Sequence, residues 1–175
     1  MLLPDTLRRL SAHLRPIAAL AACTALAGCF QPLYGSLNGG LASKLQTIAV
    51  DPIPDMIGHY LGNDLIFDLN GTGSTVTPQY HLKVQLVEAV STPLVNSYSG
   101  IATSATVNVR ANYTLTEAGS TKVVFKGTAV NIVTYDRSNQ GFANLRAGRD
   151  AEIRNAKVLS DQIRTQIAAF FANGG

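Results

Sequence analysis

The chain is poor in the residues that build several common kinds of site. It has two cysteines and no tryptophan, and 14% of its residues are charged, where about 25% is ordinary. Two cysteines cannot form a disulfide framework or a cysteine-rich metal site. No stretch holds about 18 consecutive apolar residues, so we expect no transmembrane helix.

The positive charge that the chain does have is concentrated near its start. Arg8, Arg9 and Arg15 precede a short apolar segment, Ile17 to Ala27, which is the arrangement of a secretory signal peptide. A helix of that length rises about 16 Å, too little to cross a hydrocarbon core of about 30 Å. We therefore interpret residues 1–28 as a signal peptide, whose true translation start stays open.

The signal ends in Leu26-Ala27-Gly28-Cys29, which has the form of a lipobox, the motif after which bacterial signal peptidase leaves a lipid-modified cysteine. This predicts a covalent lipid on Cys29, which anchors the chain to a membrane, and no other cofactor. The alternative is an ordinary signal peptide with a chance cysteine. Phe30, rather than Asp, follows the cysteine, which predicts sorting to the periplasmic face of the outer membrane.

Residues 29–43 contain one proline and several glycines and are predicted to be a lipidated tether, followed by a single domain over residues 44–175. Removal of the signal lowers the net charge from +3 to about +1, so charge predicts no nucleic-acid partner. Ser, Thr, Asn and Gln are abundant. Either the surface meets another polar surface, or the composition reflects the bacterial lineage.

Hydrophobic periodicity predicts the elements of this domain. A short strand spans Lys44 to Val50, and a helix after Pro54 buries Ile57, Leu61 and Leu65 and stops at Asn70-Gly71. Strands with one apolar and one polar face follow at Tyr80–Leu86 and Thr106–Thr116, the latter ending in a hairpin at residues 117–120.

The last two predicted elements are a strand and a long helix. The strand runs from Lys122 to Tyr135, and its inward face is ambiguous because it is apolar on both sides in places. The helix runs from about Gly148 to Phe171 and buries Ile153, Ala156, Ser160, Ile163, Ile167 and Phe170. The order β-α-β-β-β-α predicts an α+β fold, a two-layer sandwich in which two helices cover one face of a sheet of about four strands.

Catalysis has little support in the sequence. After the signal only two histidines remain, His59 and His81, with no metal-ligand spacing, and both are interpreted as surface residues. No nucleophile elbow and no phosphate-cradling glycine loop occur. The sequence predicts that the protein is not an enzyme and has no metal site.

Several segments resemble one protein family. The segment Gly28-Cys29-Phe30-Gln31-Pro32-Leu33-Tyr34-Gly35 resembles the start of the alphaproteobacterial form of the lipopolysaccharide-assembly lipoprotein family, LptE. The likeness continues, in order, through Arg110-Ala111-Asn112-Tyr113-Thr114-Leu115, Gly127-Thr128-Ala129, Tyr135-Asp136, Phe142-Ala143-Asn144-Leu145, Asp150-Ala151-Glu152 and Ile163-Arg164. The chain departs from the family pattern in lacking a glycine after Cys29 and in having Gly148.

The resemblance implies a function. Members of this family are outer-membrane lipoproteins, not enzymes, that plug a large β-barrel, LptD, assist its assembly and help to deliver lipopolysaccharide to the outer leaflet. The lumen of such a barrel is polar, which agrees with the Thr- and Asn-rich outer faces of the predicted strands. The alternative is a free periplasm-facing lipoprotein that binds lipid or serves another envelope transporter.

Lipopolysaccharide is anionic, so its candidate contacts are exposed cations on the strands. Lys83, Arg110 and Lys126 are the candidates, and ordinary solvent-facing positions are the alternative. The cations of the last helix are instead predicted to pair with acids three or four residues away, as in Asp150–Arg154.

Overall fold

A computed structural model describes residues 40–71 and 76–175, and Cys29, the signal and most of the tether lie outside them. The described chain forms seven elements: α1 (Leu41–Gln46), β1 (Ile48–Val50), α2 (Met56–Asn70), β2 (Tyr80–Ser91), β3 (Ser104–Glu117), β4 (Val123–Asp136) and α3 (Gly141–Ala172). The strands form one sheet in the order β1-β2-β3-β4. This confirms the predicted α+β fold, with one additional helix.

The sheet is mixed, and only its first pair is parallel. β1 lies parallel to β2, whereas β2, β3 and β4 are successively antiparallel. Strict alternation decides which side chains enter the core, because successive residues of a strand point to opposite faces. The inward side chains of β3 are all buried, as predicted: Val107, Val109, Ala111, Tyr113 and Leu115.

The inward face of β4, which the sequence left ambiguous, is set by its pairing with β3. Ala129 lies opposite Ala111, and Val133 lies opposite Val107. Both β4 residues are buried. Val130 and Ile132 therefore point away from the core, although they are apolar.

The helices cover the inward face of the sheet. In α2 the stripe Ile57, Leu61 and Leu65 is buried as predicted, and the helix ends at Asn70, before Gly71, whose φ is 62°. Glycine adopts such a left-handed φ without steric penalty. The predicted stop at Asn70-Gly71 is confirmed.

The start of the domain differs from the prediction. Residues 41–46 form α1, so the expected strand at Lys44–Val50 is reduced to Ile48–Val50. Leu41, which was assigned to the tether, and Leu45 are both 3% exposed and belong to the core. They lie four residues apart and therefore on one face of a helix, which explains why this segment is helical.

The last helix is also longer than predicted, because it begins at Gly141 rather than near Gly148. A β-carbon at residue 148 would lie 3.3 Å from the Tyr135 Oη. Glycine there is explained by the close approach of α3 to β4, and it does not mark the start of the helix.

One residue of the predicted stripe of α3 was placed wrongly. Ala156, Ser160, Ile163 and Ile167 are buried, but Ile153 is 42% exposed. The core contacts recur every four residues from Ala151 to Phe171. A repeat of four exceeds the 3.6 residues of a turn, so the buried stripe winds around the helix and leaves Ile153 outside it.

A group of carboxylates lies where α2 packs on α3. Ser160 donates a hydrogen bond of 2.7 Å to Asp68. Burial, followed by the negative charges of Asp68 and Asp161, raises the pKa of the Asp64 carboxyl, although Lys157 acts in the opposite direction. The folded chain therefore favours the protonated form of Asp64 more than the unfolded chain does.

We predict that Asp64→Asn stabilises the protein at neutral pH, by less than about 1 kcal/mol because Asp64 is partly solvated. The folded-state pKa is raised, so stability is highest with Asp64 protonated and falls as the pH rises through the ordinary and then the raised pKa. The gain should therefore disappear in acid. Urea unfolding at pH 3.5 and pH 7 measures it, with Asp136→Asn on exposed β4 as the control. Equal gains at both pH values would contradict the prediction.

Candidate functional site

The face of the sheet that the helices leave uncovered is the candidate site, and we call it the open face. It consists of the outward side chains of β2, β3 and β4, which lie in cross-strand rows fixed by the register. From one end to the other the rows are His81-Thr116-Val123, Lys83-Thr114-Lys126, Gln85-Asn112-Thr128, Val87-Arg110-Val130, Ala89-Asn108-Ile132 and Ser91-Thr106-Thr134.

Two of the three predicted cations lie at one end of this face. Lys83 and Lys126 are both opposite Thr114, one on each side of it. Neighbouring strands are about 4.8 Å apart, so the two lysine backbones are separated by only about 10 Å. Among residues 40–71 and 76–175, neither ammonium group has a carboxylate within 4 Å.

These lysines border a shallow crevice of about 570 Å³. Its other lining side chains are polar, and Thr128 donates a hydrogen bond of 3.0 Å to Asn112 Oδ1. The lining is completed by Gln85, Asn112, Tyr113, Thr114, Gly127 and Thr128. Two unpaired ammonium groups above amides and hydroxyls can bind an anionic, hydroxyl-rich group such as a phosphorylated sugar.

The floor of the crevice is formed by a glycine and a tyrosine. A β-carbon at Gly127 would overlap the Tyr113 ring and hydroxyl, so Tyr113 passes beneath residue 127 towards α3. Its hydroxyl donates a hydrogen bond of 2.6 Å to Gln166 Oε1. Burial raises the pKa of Tyr113 to about 12. The phenol is therefore neutral at physiological pH.

Arg110, the third predicted cation, is separate from the lysines. It lies between Val87 and Val130 and four residues from Thr114 along β3, which corresponds to about 13 Å. The structure therefore brings Lys83 and Lys126 together and places Arg110 nearer the other end of the face.

Exposed aliphatic side chains lie on both sides of Arg110 and in the next row, before the polar last row Ser91-Thr106-Thr134, and sequence reasoning did not identify them. Val87 is 58% exposed and Ile132 is 57% exposed. The loop between β2 and β3 also exposes the apolar side chains of Leu94, Val95, Tyr98 and Ile101. One signal was present in the sequence: no charged residue occurs between Glu88 and Arg110, or between Lys126 and Asp136.

Each histidine of the described ranges lies close to one polar side chain. His81 Nδ1 lies 3.1 Å from Asp51 Oδ1 at the edge of the sheet, and His59 lies 3.4 Å from Asn63 on α2. The predicted pair Arg154–Asp150 is formed on α3, at 2.8 Å. Among residues 40–71 and 76–175, no three His, Cys, Asp or Glu side chains are placed to hold a metal ion.

None of the helices in the described ranges is long and apolar enough to span a membrane. The same two ranges contain no cysteine. A membrane attachment of the kind predicted at Cys29 would therefore lie outside the part of the chain that the structure describes.

Comparison of the sequence with models of known protein families finds one match. The model of the lipopolysaccharide-assembly family LptE matches residues 45–167, which include all four strands and most of both long helices. No curated protein matches the sequence.

Solved structures share the fold at low sequence identity. A protein of Caulobacter crescentus CB15 named as a lipoprotein has 21% identity and a TM-score of 0.65, over 79% of this chain and 99% of its own. A minor lipoprotein of Acinetobacter baumannii has 17% identity and a TM-score of 0.52, over 70% of this chain and 90% of its own. Rare lipoprotein B of Shewanella oneidensis has 12% identity and a TM-score of 0.50, over 72% and 96%.

Proposed function

This chain belongs to the LptE family of lipopolysaccharide-assembly proteins, and we propose that it is a lipoprotein subunit of the lipopolysaccharide export machinery of the outer membrane. In this role it plugs a large β-barrel partner of the LptD type, assists the assembly of that barrel and helps to deliver lipopolysaccharide to the outer leaflet. The family consists of accessory lipoproteins, and we propose no catalytic role for this chain.

Together with the family match, the observation that carries the proposal is the face of the sheet that the helices leave uncovered. An ordinary two-layer domain leaves one face of its sheet to solvent. Here three long strands present amides, hydroxyls and cations together with exposed aliphatic side chains on the same face. Such a face can contact both a polar barrel lumen and an amphiphilic glycolipid.

We propose that Cys29 carries the lipid that holds the domain at the periplasmic face of the outer membrane, with the residues before α1, 29–40, as the tether and residues 1–28 as a signal that is removed. The described domain packs without cysteine. We therefore expect the domain to fold without the anchor.

Purification of the native lipoprotein tests this function, together with Cys29→Ser. The native form should copurify with a very large barrel in a fixed ratio, identified by mass. Cys29→Ser should leave the membrane fraction while keeping the circular dichroism and melting temperature of the domain. A lipoprotein that purifies alone, or with an inner-membrane transporter, would instead support a free lipid-binding or accessory lipoprotein.

We also propose that Lys83, Arg110 and Lys126 contact lipopolysaccharide. Replacing all three with alanine should weaken binding of purified lipopolysaccharide by at least about tenfold, because each charge-assisted hydrogen bond contributes about 1.5–3 kcal/mol. The matched control replaces Lys122, Arg146 and Arg149, three exposed cations elsewhere. Unchanged binding in the first variant would exclude these contacts.

A further inference from the structure

We propose that β4 is a self-association edge, which pairs antiparallel with the β4 of a second copy of this chain in a two-fold dimer. Residue 131 lies on the two-fold axis, and two sheets of four strands join into one continuous sheet. The proposal goes beyond the proposed function and does not depend on it.

The two edges of the sheet differ in length and in protection. β1 has three residues, and so short an edge offers little backbone to another chain. β4 has 14 residues, and among the described strands only β3 pairs with it. Edge strands usually avoid further pairing through proline, charge or bulges, but neither proline nor charge occurs between Lys126 and Asp136. The one irregularity of register, at Leu115/Thr116, lies before this stretch. β4 therefore presents a long edge that can accept another strand.

Hydrogen bonds show which backbone groups of β4 face the free edge. The Arg137 N–H donates to the Thr103 carbonyl, next to β3, at 2.9 Å. Because the two groups of one residue point to the same side of a strand, the odd-numbered residues of β4 bond towards β3. The carbonyls of Thr128 and Val130 instead accept long bonds, of 3.5 and 3.3 Å, from glutamine side chains of α3. Each carbonyl oxygen has a second lone pair, and the even-numbered N–H groups are left for another strand.

Only a pairing of even-numbered with even-numbered residues uses these groups, and charge selects one such register. Neither Lys126 nor Asp136 has an ion-pair partner within the described parts of the chain. With residue 131 on the axis, Lys126 of each copy lies opposite Asp136 of the other, and opposite charges across a strand pair are stabilising. Moving the axis by one residue would place Lys126 opposite Thr134 or Ser138 instead.

The same register matches the other outward side chains of β4. Thr128 lies opposite Thr134 of the second copy, and Val130 lies opposite Ile132. Val130 is 38% exposed and Ile132 is 57% exposed in the single chain. The dimer sets each against the aliphatic side chain of the other copy, and β-branched residues pair well across strands. Each outward position from residue 126 to 136 thus gains a neighbour of matching chemistry.

The two copies of α3 also approach each other, because both lie on the same side of the joined sheet. Gln162 marks the flank of α3 beside the β4 edge, since its amide reaches the Val130 carbonyl. Val158, which is 39% exposed, and Thr165, which is also exposed, lie four residues before and three after it on the same flank. These three positions carry no charge, so two such flanks can come into contact.

A two-fold pairing is closed, because it uses the β4 edge of both copies. The edges that remain are the two short β1 strands, which offer little to a third chain. Association should therefore stop at the dimer and should not continue into a longer stack of sheets.

Charge reversal tests the register in the full lipoprotein, purified without other envelope proteins. Sedimentation equilibrium in density-matched detergent, from micromolar to submillimolar protein, should show a monomer–dimer equilibrium for the parent. Lys126→Asp alone and Asp136→Lys alone should each raise the dimer dissociation constant about tenfold, because each dimer then holds two like-charged pairs. The double variant Lys126→Asp with Asp136→Lys restores opposite charges and should return to within about threefold of the parent.

The control for charge reversal is Arg146→Asp, because Arg146 is exposed on α3 and lies outside the paired strand. It should dimerise like the parent. A parent that stays monomeric over the whole concentration range, or a double variant that does not recover, would overturn the proposal.

A proline tests the backbone pairing separately. The N–H of Val130 faces the free edge, so Val130→Pro removes no bond to β3 but blocks one that the second strand needs. We expect this variant to keep its circular dichroism spectrum and to raise the dimer dissociation constant by at least about tenfold. Val130→Thr keeps the N–H and is the control. A folded proline variant that dimerises like the parent would exclude edge pairing, and the charge-reversal series decides the question if the variant does not fold.

A disulfide locates the axis. Residues 126 and 136 are about 33 Å apart along one strand, so a bond between Lys126→Cys and Asp136→Cys must join two copies. Opposite α-carbons of a hydrogen-bonded pair are about 5.5 Å apart, within the range of a disulfide. Mass spectrometry of the linked peptides should find this bond. The control pair, Lys126→Cys with Thr134→Cys, lies two residues out of register and should link much less. Preferential linking of the control pair would show that residue 131 does not lie on the axis.

Discussion

Gly127→Ala is expected to lower the free energy of unfolding by about 2–3 kcal/mol, although it adds only a single methyl group. A β-carbon at residue 127 would overlap the ring and hydroxyl of Tyr113. The tyrosine cannot simply move aside, because it is 2% exposed in the core and its hydroxyl is bonded to Gln166 on α3. Overpacking of a well-packed site typically costs about 1–3 kcal/mol.

A double-mutant cycle identifies Tyr113 as the cause. In a Tyr113→Leu background the ring is absent, so Gly127→Ala should lose most of its effect and give a coupling of about 1 kcal/mol or more. Gly141→Ala is the matched control. No atom outside its immediate neighbours lies within 4 Å of a β-carbon there, and alanine favours a helix by about 1 kcal/mol over glycine. Equal losses at residues 127 and 141, measured by urea unfolding, would contradict the packing argument.

Strands β3 and β4 could be predicted from the sequence, whereas helix α1 and the start of helix α3 could not. Alternation along β3 is strict from Val107 to Leu115, and an alternating pattern has few other interpretations. Helix α1 has only six residues, and a helix this short is stable only through packing, in this case of Leu41 and Leu45. The sequence shows that these leucines are apolar but does not show what they contact.

The start of α3 was missed for a related reason. Gly148 has a low helix propensity and therefore resembled a boundary. The tertiary structure explains why residue 148 is a glycine, because a β-carbon there would lie 3.3 Å from the Tyr135 Oη. A local propensity cannot show that a residue of another element lies within 4 Å.

The sequence predicts which residues of the candidate site face outward, but it does not predict which of them lie next to one another. Each lysine could be assigned to an outward position from its own strand. Their adjacency depends on two registers, Lys83 with Thr114 and Thr114 with Lys126. The short hairpin after Glu117 constrains the second register, but β2 and β3 are joined by residues 92–103, too long a connection to fix the first. For the same reason, the sequence did not predict that Val87, Val130 and Ile132 lie near one another on the open face.

Asn155→Asp is expected to be among the most destabilising single substitutions at neutral pH, with a loss of about 3–5 kcal/mol. Asn155 is fully buried between α3 and the sheet. Its Nδ2 donates to the Val107 carbonyl at 3.3 Å, and its Oδ1 accepts from Asn131 Nδ2 at 2.9 Å. Both hydrogen bonds join the helix to the strands beneath it. An ionised aspartate keeps the second bond, loses the first, and buries a charge beside a carbonyl oxygen.

The loss should depend on pH, because a protonated aspartate restores the donor. Its hydroxyl can donate to Val107 while its other oxygen accepts from Asn131, so the folded state raises the pKa of the new carboxyl above its ordinary value of about 3.9. Destabilisation is then small below that value and grows as the pH rises towards the raised pKa. Asn112→Asp, on the open face where a carboxylate stays hydrated, is the control and should lose little at any pH. Urea unfolding from pH 3.5 to pH 8 distinguishes the two. A loss at Asn155 that stays constant with pH would mean that packing shape, and not the buried charge, explains the loss of stability.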